Sequence, residues 1–309
     1  MNSVQLKKRW HCPEANGFAA LINQKGRSGN GFEISESPFG SVASSGLLDL
    51  RGLSFPDQAE LRKIVFRNAD ISGAQFNGAW IERCTFENVR SDEAAWKNVA
   101  EHGSTFAECM FNKTNFRDAI LGYKGSHFRR CRFTNANFQK AQFIRPEFDD
   151  CIFKDCRFAN VDFSASSFEQ CEFFGEVRGV WFRGGFALPS QRERFGTPRP
   201  NRMLNVSFAR ATLIDVTFSN NCDLSSVVPP TDSDHRLVFE WKDCLLKLQA
   251  AVQSWPTDEK IAGELFCKTH LTHAETQDSY IVSFIDLIEV YGTVAPKLWK
   301  SIGDCLSRG

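Results

Sequence analysis

The stretch from Phe128 to Phe173 reads FRRCRFTNANFQKAQFIRPEFDDCIFKDCRFANVDFSASSFEQCEF. In it Phe128, Phe133, Phe138, Phe143, Phe148, Phe153, Phe158, Phe163, Phe168 and Phe173 stand in strict steps of five. A period of 3.6 would march these rings around a helix, and a period of two would send alternate rings to opposite faces of a sheet. The chain must therefore turn once every five residues.

The same phase extends outward. It runs through Leu50 and Phe55, then, after one inserted residue, through Leu61, Phe66, Ile71, Phe76, Ile81 and Phe86. It resumes at Phe106, Phe111, Phe116 and Leu121, and again at Phe208, Leu213, Phe218 and, after another inserted residue, Leu224. Of the 29 phenylalanines, 19 fall in this column, where chance would place about two, so the pattern is a true internal repeat. Two residues before each ring lies a second column of small residues. Cys84, Cys109, Cys131, Cys151, Cys156, Cys171 and Cys222 share it with Ala, Ser, Thr and Val. A cysteine interchangeable with alanine is chosen for size, as a small hydrophobe.

The tandem units CRFTN, ANFQK, AQFIR, CIFKD, CRFAN and VDFSA resemble the pentapeptide-repeat family, whose pattern is a small residue, Asp or Asn, then Leu or Phe. The chain is a Phe- and Cys-rich variant, often with Arg, Thr or Glu where the family favours Asp or Asn. The resemblance implies a mainly β fold, a right-handed quadrilateral parallel β-helix with four five-residue sides per coil. At about 4.8 Å per coil such a rod is about 31 Å long. Each buried Phe contributes roughly 1.5 to 3 kcal/mol to its cohesion.

The expected organisation is an irregular N-terminal cap over 1–47, the β-helix over 48–224, and an α-helical C-terminal domain over 225–309. Two excursions interrupt the repeat, at 87–105 and 174–205. In the first, Trp96 fits a ring position, but Glu101 would then point inward as an unpaired carboxylate. A short helix capped by Ser91 is the expected form. In the second, Val180 with Phe182 fits one more repeat; the rest is rich in Gly, Pro and Arg, and long loops of that kind often carry function. Beyond Pro230, helices are expected on a face from Leu237 to Trp255, capped at Ser233 or Asp234, then over 258–271, 274–291 and 296–307. The resemblance leaves these helices two roles, a plain cap or a homodimer contact.

With 37 basic and 37 acidic residues the formal net charge is zero, which gives no support to a polyanion binder. The N-terminus lacks an apolar signal segment and no stretch reads as membrane-spanning, so a cytoplasmic protein away from membranes is expected. There is no HExxH, GxSxG or Walker P-loop, and GRSGNG at 26–31 precedes a strand-like FEIS, so it reads as a turn. Cys267, His270 and His273 match no standard zinc spacing. No catalysis, cofactor, metal or direct nucleic-acid contact is expected.

The expected function is a non-enzymatic scaffold that binds another protein, such as an immunity or resistance partner of a toxin or drug target. Its expected contact residues are Arg178, Trp181, Arg183, Arg192, Arg194, Phe195, Arg199 and Arg202. The alternative that the resemblance brings is a DNA-mimicking modulator of type II topoisomerase. That activity requires a regular acidic stripe, which Arg129, Arg130 and Arg132 interrupt here.

Overall fold

A computed structural model of the chain describes residues 3–56, 58–201 and 203–306. Its centre is a parallel β-solenoid of about seven turns, followed by a C-terminal helical region. One continuous 19-stranded sheet winds around the core, each short strand paired with its counterparts in the coils before and after.

The five-residue turn has a backbone cause. Two positions after most core rings the chain enters the left-handed region, at Asn68, Asn88, Lys113, Arg130, Asn135 and Asn160 among others, with φ between 49° and 54°. Asn visits this region readily, whereas each other L-residue there costs about 1 to 2 kcal/mol. Ring stacking offsets that cost. Phe66, Phe86, Phe106, Phe128, Phe148 and Phe168 lie directly above one another, with centroids 4.5 to 4.9 Å apart. This equals the strand spacing of a sheet. Rings on adjoining sides meet edge to face, as Phe143 meets Phe148 at 66°.

The cysteine column also has a hydrogen-bonding role. Cys109, Cys131, Cys151 and Cys171 stack one per coil, and their thiols donate to the carbonyls of Phe86, Phe106, Phe128 and Phe148 at 3.2 to 3.6 Å. Each occupies an alanine-sized space while serving a carbonyl that would otherwise lack that contact. All eleven cysteines are free thiols.

Residues 87–105 are not an excursion. Val89, Ala94 and Val99 fill the small column, Trp96 is fully buried on the ring column, and the strands at Thr85–Arg90, Ala100–His102 and Thr105–Ala107 pair in register with their neighbours. Ser91 serves the core, accepting from Trp96 Nε1 at 3.2 Å, rather than capping a helix. The inward Glu101 is tolerated because donors surround it: Ser104 N at 2.7 Å, Gly122 N at 2.8 Å and Ser126 Oγ at 2.6 Å. Gly122 opens a two-residue insertion at one corner, so Phe106 pairs with Phe128 rather than with residue 126.

The N-terminal segment is helical in its first part, while residues 35–47 are irregular. α1 (Ser3–Lys8) and α2 (Pro13–Ser28) lead into the strand Phe32–Ile34, which pairs with Ile64–Phe66. α2 buries Ala15, Ala19 and Ile22 over the first coil. Gly26 crosses so close that a Cβ would stand 2.3 Å from Glu60 O. GRSGNG is thus the end of α2 and its turn, with Gly29 at φ 65°.

The second excursion begins later than expected. The chain stays in the solenoid as one strand, Glu172–Arg183, with Val177, Val180 and Phe182 buried. It leaves at Gly184, goes through α3 (Pro189–Phe195), and re-enters near Met203 before the strand Ser207–Ser219.

The C-terminal region is mixed rather than purely helical. α4 (Trp241–Val252), α5 (Thr257–Ala274), α6 (Phe284–Tyr291) and α7 (Ala295–Leu306) enclose a two-stranded antiparallel sheet of His235–Val238 and Tyr280–Ser283. A strand and turn thus replace much of the helix expected over 274–291, and Glu240, not Ser233 or Asp234, precedes the first helix. This region satisfies the raw end of the solenoid. Gln277 both accepts from Cys222 N and donates to Cys222 O, Tyr280 Oη donates to Val216 O, and the Asp286 carboxylate accepts from Asp215 N.

Candidate interaction face

Sequence and packing place the excursion across one side of the solenoid, the side whose core column is Ile81, Glu101, Leu121, Phe143, Phe163 and Phe182. The point of departure is fixed by Gly184, where a Cβ would lie 2.2 Å from Asn221 O. Pro189 starts α3 with its preset φ, and the Gln191 side chain accepts from Leu188 N at 2.9 Å. Gly196, at φ 85°, donates its N–H to Arg192 O and ends the helix.

Four contacts hold this flap down. Phe195 meets Tyr123 edge to face at 5.0 Å. Arg145 Nη1 donates to Thr197 O at 3.2 Å. Arg199 bridges Glu169 at 2.6 Å and Glu147 at 3.5 Å on neighbouring coils. Buried Asn201 re-enters the sheet, accepting from Phe168 N and Met203 N.

Tyr123 belongs to a longer aromatic row. His102 lies 4.6 Å from it and stacks on Trp80 at 3.9 Å, while Phe195 meets Phe186 at 5.7 Å. His102 is buried and neither ring nitrogen has a hydrogen-bond partner. Burial pushes its pKa below the usual histidine value; Glu82 opposes that shift and Lys124 adds to it.

Between α3 and the solenoid wall lies an open cleft of about 420 Å³. Trp181, Phe186 and Phe195 give it aromatic walls, and Asp162 and Asp215 are the charged residues that line it.

The arginines expected to act together are distributed. Arg178 and Arg183 are on the strand, Arg178 between Glu176 at 3.0 Å and Glu289 at 3.8 Å, and Arg183 on Asp162 at 3.0 Å with its guanidinium over Trp181. Arg199 pins the flap. Arg192 and Arg194 are exposed on α3 and form no ion pair among the described residues. Trp181 is 48% exposed. Arg202 lies outside the described residues. Trp80, His102, Tyr123 and Asp215 were absent from the sequence-based set; the one available signal was a rare Tyr, among three in the chain, inside a two-residue break of the period.

No helix among the described residues is long and apolar enough to cross a membrane. No curated protein matches the chain significantly. Among solved structures, a form of QnrB1, titled a plasmid-mediated fluoroquinolone resistance protein, is 14% identical, with 61% of this chain and 87% of that one covered and a TM-score of 0.32. HetL, titled a pentapeptide repeat protein involved in heterocyst differentiation regulation from the cyanobacterium Nostoc sp. strain PCC 7120, is 11% identical, with 60% and 84% covered and a TM-score of 0.33. Family models described as pentapeptide repeats match residues 57–88 and 123–161. Both matched segments lie in the coiled sheet whose register repeats every four five-residue units, and over them the chain carries the pentapeptide repeats that these models describe.

Proposed function

We propose that this protein is a non-enzymatic scaffold that captures another protein on the face formed by the flap and the solenoid wall beneath it. The observation that carries this reading is the contrast among the arginines. Arg178, Arg183 and Arg199 are tied to carboxylates of the same chain, whereas Arg192 and Arg194 have no carboxylate partner among the described residues, Arg194 lying over the Phe195 ring at 5.1 Å, on a flap that Tyr123, Arg145 and Arg199 hold in place. A rigidly presented, unpaired charge costs little to order on binding. The role proposed for such capture is immunity or resistance, in which the partner is a toxin or a drug target.

DNA mimicry asks for unpaired negative charge repeated along the rod. Here Glu87 is paired with Arg67, Glu108 with Arg130, and Glu172 with Arg210, which favours the scaffold over the mimic. The test is affinity capture from a native lysate with the wild type and with the double variant Arg192→Glu, Arg194→Glu. The scaffold reading expects a specific protein retained by the first and at least tenfold depleted with the second. Equal retention removes the flap from the interface. Inhibition of gyrase supercoiling by the purified protein, unaffected by the double variant, would favour mimicry.

A further inference from the structure

The cleft beneath α3 has a chemical character that differs from the basic outer surface of the flap. Its charged lining is wholly acidic, Asp162 and Asp215, and its walls are the aromatic faces of Trp181, Phe186 and Phe195. Asp162 is already engaged by Arg183 Nε, at 3.0 and 3.1 Å from its two oxygens. The carboxylate of Asp215 makes no hydrogen bond or ion pair among the described residues; Arg178 acts on it only through space, its guanidinium being in contact with Glu176 and Glu289. An unpaired carboxylate beside aromatic faces is the complement of a delocalised cation, through ion pairing and cation–π contact together.

We propose that the cleft receives an arginine side chain of the partner protein, its guanidinium on Asp215 and against Trp181, Phe186 and Phe195. This rests on the scaffold reading above and names the chemistry of the group that docks. The cleft volume, about 420 Å³, lies at the small end of the range for ligand sites and admits a single long side chain with its backbone outside. The arrangement has a precedent within the molecule, since the Arg183 guanidinium lies 4.6 Å from the Trp181 ring while bonding Asp162. Burial pushes the pKa of both Asp162 and Asp215 upward, a bias that an arriving cation would reverse.

The experiment titrates N-acetyl-L-arginine amide and its neutral isostere N-acetyl-L-citrulline amide into the full chain, followed by ligand-observed NMR. The wild type, Asp215→Asn and Trp181→Ala are compared, each first shown to keep its melting temperature. Expected is saturable binding of the arginine derivative near the millimolar range, at least about tenfold tighter than the citrulline derivative and weakened about fivefold or more by either substitution. Equal binding of the two derivatives, an unaffected Asp215→Asn variant, or no saturation at tens of millimolar would overturn the proposal. The two readings fail separately. A partner captured equally by the wild type and Asp215→Asn refutes the cleft and leaves the scaffold. Selective arginine binding with no captured partner refutes the scaffold and leaves the cleft.

Discussion

The Glu101 carboxylate accepts a hydrogen bond from Ser126 Oγ at 2.6 Å inside the solenoid, across 25 residues of sequence. Glu101 sits in a ring column and Ser126 in the small column of the next coil, so the pair spans one coil of the ladder. Backbone N–H groups of Ser104 and Gly122 complete the carboxylate's environment. Burial still outweighs these donors and pushes the Glu101 pKa up. The arrangement anchors the corner insertion that carries Tyr123.

Glu101→Ala would leave two backbone donors buried without an acceptor. Each such group costs about 1 to 3 kcal/mol, so a loss of about 3 kcal/mol is expected in denaturant unfolding. Leucine at this position would refill the volume but not the acceptors, and should recover little. Wild-type stability in Glu101→Ala would mean that the carboxylate is not what holds the corner.

Phe153 lies between Phe133 at 4.9 Å and Phe173 at 4.7 Å, and is 1% exposed. Flanking rings fixed by their own strands cannot collapse into a missing one. Phe153→Ala should therefore cost about 3 to 5 kcal/mol, read as a lower denaturation midpoint with an unchanged slope.

The solenoid was legible because its signal is one-dimensional: a ring every fifth residue, with a small residue two places before. Legibility ended where a contact depended on another coil. Glu101 reads as a fault in the period until Ser126 and Gly122 are seen beside it. The flap starts later than the sequence suggests because Val177 follows Phe173 in the ring column after four residues rather than five, which hides the phase that Val180 and Phe182 then restore. Gly17 and Gly26, weak helix formers, obscured the Ala15, Ala19, Ile22 face of α2. The interaction face was only half visible. Its arginines, Trp181 and Phe195 were conspicuous in one stretch of sequence, but Trp80, His102 and Tyr123 come from separate parts of the chain and meet only through the coil register.

His102 gives the aromatic row a pH dependence. Its folded pKa is depressed below the usual value near 6.5, so the neutral ring is the one that the fold accepts. The stabilisation is complete above that value and is lost as pH falls from it towards the folded pKa. Trp80, Tyr123, Glu82 and Lys124 face the ring, and only Glu82 favours its charged form. His102→Phe keeps the stack and removes the titration. Its stability profile should be flatter than that of the wild type between pH 6.5 and the acid unfolding limit, and at neutral pH it should be at least as stable. Parallel profiles would remove His102 from the acid response.

Tyr123 connects the two halves of the face, since its ring touches His102 on the wall and Phe195 on the flap. Removing it with Tyr123→Ala takes away the aromatic anchor of α3 but no ring of the core columns. Local opening is governed by the few contacts that hold a segment, not by the global stability of the domain. Trypsin should therefore cut after Arg192 and Arg194 several times faster in the variant, while the unfolding midpoint of the solenoid moves little. Arg199→Ala, which frees the flap from Glu147 and Glu169, should act in the same direction, and the two together should exceed either alone. Cleavage at the wild-type rate in the Tyr123 variant would mean that the polar contacts of Arg145 and Arg199 suffice to hold the flap and that the aromatic row only packs the surface.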